Sequence, residues 1–401
     1  MSQINTEHTG LILISGVDAP GVTQALFAAL DPFSITILDI EQVVIRGRLI
    51  LTTLISLDPA HAQAIETDLL DATSKLGLDL AIDFSDQPKG ESRNSNLHII
   101  VLSENLRPGG IGALASKIAE QGGNIDRIHR TASYPLTAIE FEVSLNLDDD
   151  KLKIVQRELA EIAQNSGIDI AVEQSGLVRR AKRIVLLDMD STLIQQEVID
   201  LLAERCGVGA EVAAITQAAM RGELDFTESL TARVKLLAGA NAEILDSVKT
   251  SITLTPGART LIRTLHKLGH KVGVVSGGFL DVIEPLLNEL EIDFYRANKL
   301  EITDGKLTGS VLGSIVDKNG KALALREFAS AENVNLSQTI AIGDGANDLG
   351  MLELAGLGIA FNAKPAVRAA ANSSINSPYL DSVLYLMGIT RNEIEDADRN
   401  N

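Results

Sequence analysis

The sequence predicts an α/β protein. Its core is a doubly wound parallel sheet of Rossmann-like type with a helical cap, preceded by two small ferredoxin-like βαββαβ modules. Three observations lead there. The run "IVLLDMDSTL", Ile184 to Leu193, sets aliphatic residues directly before two aspartates, the pattern of a strand covered on both faces by helices. The runs "KVGVVSGG" and "QTIAIGDG" repeat that pattern, each ending in a polar or glycine-rich turn. Finally, "LILISGVDAPGVTQALFAAL" and "LHIIVLSENLRPGGIGALASKIAEQ" share one order of strand, turn and helix, with Pro20 and Pro108 lying 88 positions apart. That spacing is too long for a solenoid repeat and suits a duplicated small domain.

The elements follow in chain order. The first module, residues 1–86, continues past its helix with the strand-like run "TILDIEQVVIRGRLILTTLISL". A linker, "DQPKGESRNSN" at 86–96, combines Pro, Gly, Ser, Asn and charge without apolar periodicity. The second module, 97–178, carries "IDRIHRTASYPLTAIEFEVSL" in the matching place. The basic cluster Arg179, Arg180, Lys182 and Arg183 then reads as a solvated junction. From 182 to 393 strands alternate with helices. An insertion at about 196–254 is mostly helical and sits beside the end of the first strand, the position of a lid. The charged tail "RNEIEDADRN" is expected to fray.

Composition excludes several classes. Aromatics are 3% of the 401 residues, tryptophan is absent and the formal charge is −19, so neither base stacking nor attraction to a phosphate backbone favours nucleic acid. One cysteine, Cys206, allows no intrachain disulfide, and the six histidines lack metal-ligand spacing. No signal peptide or membrane span is expected, which fits a cytoplasmic protein.

Four polar clusters fall at or near strand ends: Asp188, Asp190, Ser191 and Thr192; Ser276, Gly277 and Gly278; Lys321; and "GDGAND", Gly343 to Asp348. In a doubly wound sheet such ends converge on one crevice. Carboxylates at this density favour a hard cation, here Mg²⁺, and a phosphate ester is then the natural guest, with Ser276, backbone N–H groups and Lys321 around its oxygens. Asp188 can attack phosphorus as a free carboxylate. The obstacle is repulsion of about 4 kcal/mol per unit charge at about 4 Å and an effective dielectric of about 20, which the cation and Lys321 offset. Asp190, two residues on, is placed to protonate the leaving oxygen and later to take a proton from water. An Asp-x-Asp alone is a weak signal, and Lys318 competes with Lys321; the ordered set is far more specific.

From Arg183 to about Met387 the chain resembles the haloacid-dehalogenase-superfamily phosphatases, more narrowly the phosphoserine phosphatases, through "DMDST", "SGG", "GDGAND" and the helical cap. The two N-terminal modules resemble ACT domains, and the tandem arrangement is similar to that of mycobacterial and related actinobacterial members. The resemblance implies Asp188 as nucleophile, Asp190 as general acid/base, and Mg²⁺ held by Asp188, Asp344 and the main-chain carbonyl of Asp190. It implies Ser276, Gly277 and Lys321 at the phosphate, Asn347 in a polar contact nearby, Glu197 at the substrate ammonium, Arg233 at its carboxylate, and Met220 and Phe226 closing over it. On spacing alone, Glu197 and Arg233 read as solvated helix residues and Met220 and Phe226 as cap core. Asp348 is assigned to supporting the metal or Lys321.

In the first ACT-like module, Gly16, Asp18 and Gly21 lie at a strand-to-helix turn whose N–H groups attract a carboxylate, and serine is the implied effector. The second module lacks that Gly-x-Asp pattern and is equally suited to pairing chains in a homodimer. The function implied is hydrolysis of O-phospho-L-serine at the end of serine biosynthesis. The alternatives are another phospho-amino acid or a phosphoprotein as substrate, or an amino-acid sensor with an inactive phosphatase body.

Overall fold

The computed structural model describes residues 6–88, 95–176, 179, 181–371 and 373–399. Two compact units divide the chain, 1–93 and 94–401. The first unit contains β1 (Thr6–Val17), α1 (Val22–Leu30), β2 (Thr36–Ile45), β3 (Arg48–Ser56), α2 (Ala62–Lys75) and β4 (Asp79–Pro88), its antiparallel sheet ordered β2-β3-β1-β4. Alternation along β1 and β3 turns Ile12, Ile14, Leu49 and Leu51 inward, against Leu26 and Leu30 of α1 and Ile65 and Leu69 of α2. The intervening Leu11, Leu13 and Ile50 face solvent. The last strand extends to Pro88, three residues into the segment expected to be linker.

The second unit begins with the same order: β5 (Leu97–Ser103), α3 (Pro108–Glu120), β6 (Asn124–Ala132), β7 (Thr137–Ser144), α4 (Asp149–Ser166) and β8 (Asp169–Gln174). Asp148 starts α4 by accepting the N–H of Lys151 at 2.8 Å, and Gly167 ends it at φ 64°, a left-handed turn that glycine adopts without strain. Then come β9 (Ile184–Asp188), β10 (Lys271–Phe279), β11 (Phe294–Thr303), β12 (Lys306–Leu312), β13 (Thr339–Gly343), β14 (Leu357–Phe361) and β15 (Ser373–Ile375). These are not two sheets but one of eleven strands, ordered β12-β11-β10-β9-β13-β14-β15-β8-β5-β7-β6.

The centre of that sheet explains the apolar runs. In β9, Val185 and Leu187 join a core with Leu261, Leu265 and Ile283, whereas Leu186 faces Leu325, Met351 and Leu352 on the other side. Helices therefore cover both faces, and every residue of β9, β13 and β14 is buried. Four helices, Val198–Cys206, Gly209–Met220, Phe226–Lys235 and Ile244–Lys249, form the insertion. An isolated bridge between Ile194 and Leu254 closes its base.

Two expectations are corrected. The basic cluster is not solvated at Arg179 and Lys182: the Arg179 guanidinium lies buried, 2.8 Å from Glu140 and 3.3 Å from Glu173, and Lys182 lies 3.5 Å from Glu173. Carboxylates from β7 and β8 draw these cations inward at the junction with β9; Arg180 lies outside the described residues. The tail does not fray but forms a helix, Arg391–Arg399, because Ile394 is buried in the main core while Glu393 bonds the N–H and hydroxyl of Thr390. The hairpin β11–β12 was not foreseen at all.

Candidate active site

Strand register assembles the site. β9 pairs in parallel with β10 and β13, Asp188 level with Val275 and Leu187 level with Ile342. Ser276 lies one residue past the first of these levels and Asp344 two past the second, beyond Gly343. Three segments remote in sequence thus end at one edge.

After Asp188 the chain makes a tight turn, Met189–Leu193, in which Ser191 adopts φ 57°. Asp188 Oδ1 accepts the Met189 N–H at 2.7 Å and lies 2.6 Å from Lys321 Nζ; Oδ2 accepts no hydrogen bond among the described residues. Lys321 is fully buried and donates equally to Asp348 Oδ1 at 2.6 Å. Asp348 Oδ2 accepts the Gly345 N–H at 2.9 Å. The carboxyl of Asp348 fills the space over Gly343, where a Cβ would come within 2.4 Å of its Cγ. Asp344 Oδ1 accepts from Thr192 Oγ1 at 3.2 Å. Asp188, Asp344 and Asp348 can each offer an oxygen within 4.8 Å of the others. Hard oxygen donors so close together fit a divalent metal ion.

The electrostatics agree. Burial, then the fields of Asp348 and Asp344, push the Asp188 carboxyl well above the usual range against the pull of Lys321. Burial and Glu197 raise Asp190 to about 8. Burial and Asp348 raise Asp344 to about 7. Burial pulls the Lys321 ammonium down, but Asp188 and Asp348 more than reverse it, leaving Lys321 charged. One ammonium among so many carboxylates leaves the site short of positive charge.

Across from the aspartates, Ser276 is fully buried and its Oγ accepts the Gly278 N–H at 2.8 Å. Gly277 is pressed against Phe226 of the cap, where a Cβ would fall 2.6 Å from the ring; at Gly278 it would fall 2.7 Å from Asp190 Oδ2. Asn347 lies nearby in the loop before Asp348, its Oδ1 over Gly345. On the cap side, Glu197 accepts from Ser191 Oγ at 2.8 Å. Burial lowers the pKa of Arg233, while Glu197, Asp200 and Asp190 oppose that shift, so the guanidinium faces the acidic site. Met220 is 65% exposed at a helix end, with Lys364 Nζ 3.6 Å from its sulfur; it is not packed as cap core. Lys318 begins the helix Lys318–Ala331 and is not in the buried set with Lys321.

Two neighbours escaped the sequence reading. Asn298 on β11 is buried, donates to the Gly277 carbonyl at 2.8 Å and accepts the Val316 N–H at 2.8 Å; nothing in "YRANKLEI" signals it. Thr255 donates to the Thr192 carbonyl at 2.7 Å across the cap's base.

Gly16 is buried in β1, where a Cβ would meet Leu78 Cδ2 at 2.4 Å. Asp18 is exposed and its N–H bonds the Gly47 carbonyl. Gly21 takes φ 98° at the start of α1.

A strand-end aspartate pair, a buried lysine between carboxylates and a helical cap over a parallel sheet define the class: a haloacid dehalogenase-like hydrolase, and the family model of that description matches residues 185–353. ACT domain models match 8–83 and 95–173. The chain is 52% identical over 404 residues to the phosphoserine phosphatase of Streptomyces coelicolor, covering 99% of this chain and 96% of that protein. It is 51% identical over 390 residues to phosphoserine phosphatase SerB2 of Mycobacterium tuberculosis, covering 97% and 95%. Among solved structures it is similar to a HAD-family hydrolase of Salmonella enterica serovar Typhi, with TM-score 0.62, 30% identity, 72% of this chain and 98% of that one covered. A probable phosphoserine phosphatase of Vibrio cholerae in unliganded form gives TM-score 0.56 and 33% identity, covering 76% and 89%. The chain belongs to the phosphoserine phosphatase family.

Proposed function

We propose that the chain hydrolyses O-phospho-L-serine to L-serine and phosphate through an aspartyl-phosphate. The Asp188 carboxylate forms the bond to phosphorus as the seryl oxygen leaves, and Asp190 gives that oxygen its proton. Asp190 then takes a proton from water, which attacks phosphorus and frees Asp188. The observation that carries this reading is the difference in how the two carboxyls are held: Asp188 Oδ1 is fixed by the Lys321 ammonium and the Met189 N–H, which leaves Oδ2 to attack once a bound cation offsets the burial and acidic fields that raise this carboxyl, while burial and Glu197 keep Asp190 protonated to about pH 8.

In this reading Asp188, Asp344 and the Asp190 main-chain carbonyl hold a divalent ion, taken as Mg²⁺, which when bound supplies positive charge to the phosphoryl oxygens. Ser276, Gly277 and Lys321 hold the phosphate, and Asn347 contacts it from the loop. Glu197 takes the ammonium and Arg233 forks the carboxylate, with Phe226 and Met220 at the cap's edge. The domain division 1–86, 97–178 and 182–393, with a cap at about 196–254, belongs to the same proposal. So do a serine effector near Gly16, Asp18 and Gly21, a cytoplasmic setting and a homodimer. Among the described residues no helix is long and apolar enough to cross a membrane, and the exposed Leu11, Leu13 and Ile50 support pairing of chains.

The test is phosphate release from a panel of phosphomonoesters by wild type and Asp188→Asn, with and without Mg²⁺. Metal-dependent turnover preferring O-phospho-L-serine and falling at least about 10³-fold in the variant is expected. Even turnover across the panel would reject Glu197 and Arg233 as the specificity pair.

A further inference from the structure

A groove of about 780 Å³ lies within the second unit, away from the acidic site, where the β5-to-α3 turn and α4 face the helix Pro365–Ala370. Three arginines from three elements line it: Arg107 from the turn, Arg157 from α4 and Arg368 from the helix. In a chain of formal charge −19 such a concentration is unusual. Among the described residues Arg107 and Arg157 make no ion pair, and Arg368 donates to the amide oxygen of Asn376 at 2.8 Å.

Of the three acidic groups on the same walls, Asp169 is held by Asn376 within the lining, and it also feels the field of Arg368. Asp169 accepts from the Asn376 N–H and side-chain amide, one oxygen each. Glu104 and Glu161 are the other acidic residues of the lining. The thirteen-residue α3 also opens here, with Arg107 before it and no side chain capping its first turn, so backbone N–H groups add to the positive field.

We propose that this groove binds a small multivalent anion, either a phosphate ester or a di- or tricarboxylate, forked by Arg107, Arg157 and Arg368. Guanidiniums take both chemistries bidentately. Occupancy also has a route to the cap. Lys364, directly before the helix that carries Arg368, is the residue that touches Met220. The chain on either side is tied down by Asn362, whose N–H bonds the Ile375 carbonyl at 2.7 Å and whose side-chain amide bonds Ser377. An anion that draws on Arg368 therefore pulls on a short helix with one end at the cap. The binding step stands independently of the catalytic assignment; the kinetic effect rests on the phosphoserine phosphatase reading.

The experiment is calorimetric titration of the full chain, in metal-free buffer at physiological salt, with pyrophosphate, ADP and citrate. At least one probe is expected to bind with Kd near or below about 100 µM and to weaken at least about tenfold in the exposed double variant Arg107→Gln/Arg157→Gln, with thermal unfolding unchanged. Pyrophosphate or ADP binding selects the phosphate chemistry and citrate the carboxylate chemistry. If no probe saturates below about 10 mM, or if affinity survives the double substitution because the anion sits at the acidic site, the proposal fails. With metal in excess, the bound probe is expected to change KM for phosphoserine about twofold or more in wild type and not in the double variant. Binding without that change would overturn the route to the cap.

Discussion

The two ferredoxin-like modules have the same element order and equivalent sheets, β2-β3-β1-β4 and β6-β7-β5-β8, yet only the second continues into a larger sheet. The difference lies in their last strands. In β4, Leu80, Ile82 and Phe84 alternate with exposed Asp79, Ala81 and Asp83, as expected of a strand with one wet face. In β8 the run Asp169 to Glu173 is buried throughout, and Ala171 pairs with Ser373 of β15. Its two acids can be buried because each meets a partner from the catalytic side, Asp169 with Asn376 and Glu173 with Arg179 and Lys182. A common topology thus ends as a four-stranded sheet or as a wall of the catalytic body according to what its final strand is paired with. Two thermal transitions, one per unit, give a way to test this.

The largest effect is expected at Arg179. It lies close to Glu140 and Glu173 without hydrogen-bond alignment, so its attraction is chiefly coulombic. Arg179→Ala would remove the shared cation from two buried carboxylates, leaving Glu140 to His98 and His129 and Glu173 to Lys182, at a cost of up to about 3–5 kcal/mol, lowering the melting of the second unit by up to roughly 6–15 °C. Scanning calorimetry should show the first unit's transition unmoved. If both transitions fell together, the units would not be energetically separate.

A somewhat smaller effect follows from pH. Asp190 and Asp344 are raised from 3.8 to about 8 and about 7. Between the unfolded and folded values the folded metal-free chain binds more protons than the unfolded one. The stability these groups contribute is therefore complete below about pH 4 and is lost as pH rises through the folded values. From about pH 6 to 8 the loss should be roughly 2–4 kcal/mol, since coupled carboxylates share their protons. Melting of the second unit should fall over this range without metal and recover on adding Mg²⁺, most at the alkaline end, while the first unit serves as an internal reference. A flat profile would mean that the aspartates are already ionised in the fold.

What was legible in the sequence follows the same division. The strands β9, β10 and β13 could be read because burial on both faces imposes uninterrupted aliphatic runs, and the acidic site followed from the polar residues that end them. The β11–β12 hairpin was missed although Asp304-Gly305, at φ 50° and 71°, is a recognisable two-residue turn between strands. The fusion through β8 was not legible, since the counter-ions that bury Arg179 and Lys182 lie in strands that only the fold brings near. Asn298 is a similar case: one amide clamps the Gly277 loop to Val316, a task set by geometry with no local pattern.

The smallest effect isolates the first unit. Gly16 was singled out as a contact for an amino acid, but its buried Cα packs against Leu78, and an added Cβ would stand 2.4 Å from Leu78 Cδ2 and 3.4 Å from Leu78 Cα. The side chain can yield only partly, so Gly16→Ala should cost about 1–2 kcal/mol. That loss should appear in the first transition alone and should be partly relieved by Leu78→Val, which removes the clashing reach. A packing role and a ligand role then separate cleanly. If the double variant regains stability and also responds to serine like wild type, Gly16 is needed only for close approach of β1 to Leu78. If stability returns while the serine response stays lost, the glycine is needed for the ligand, and the first module carries a site of its own.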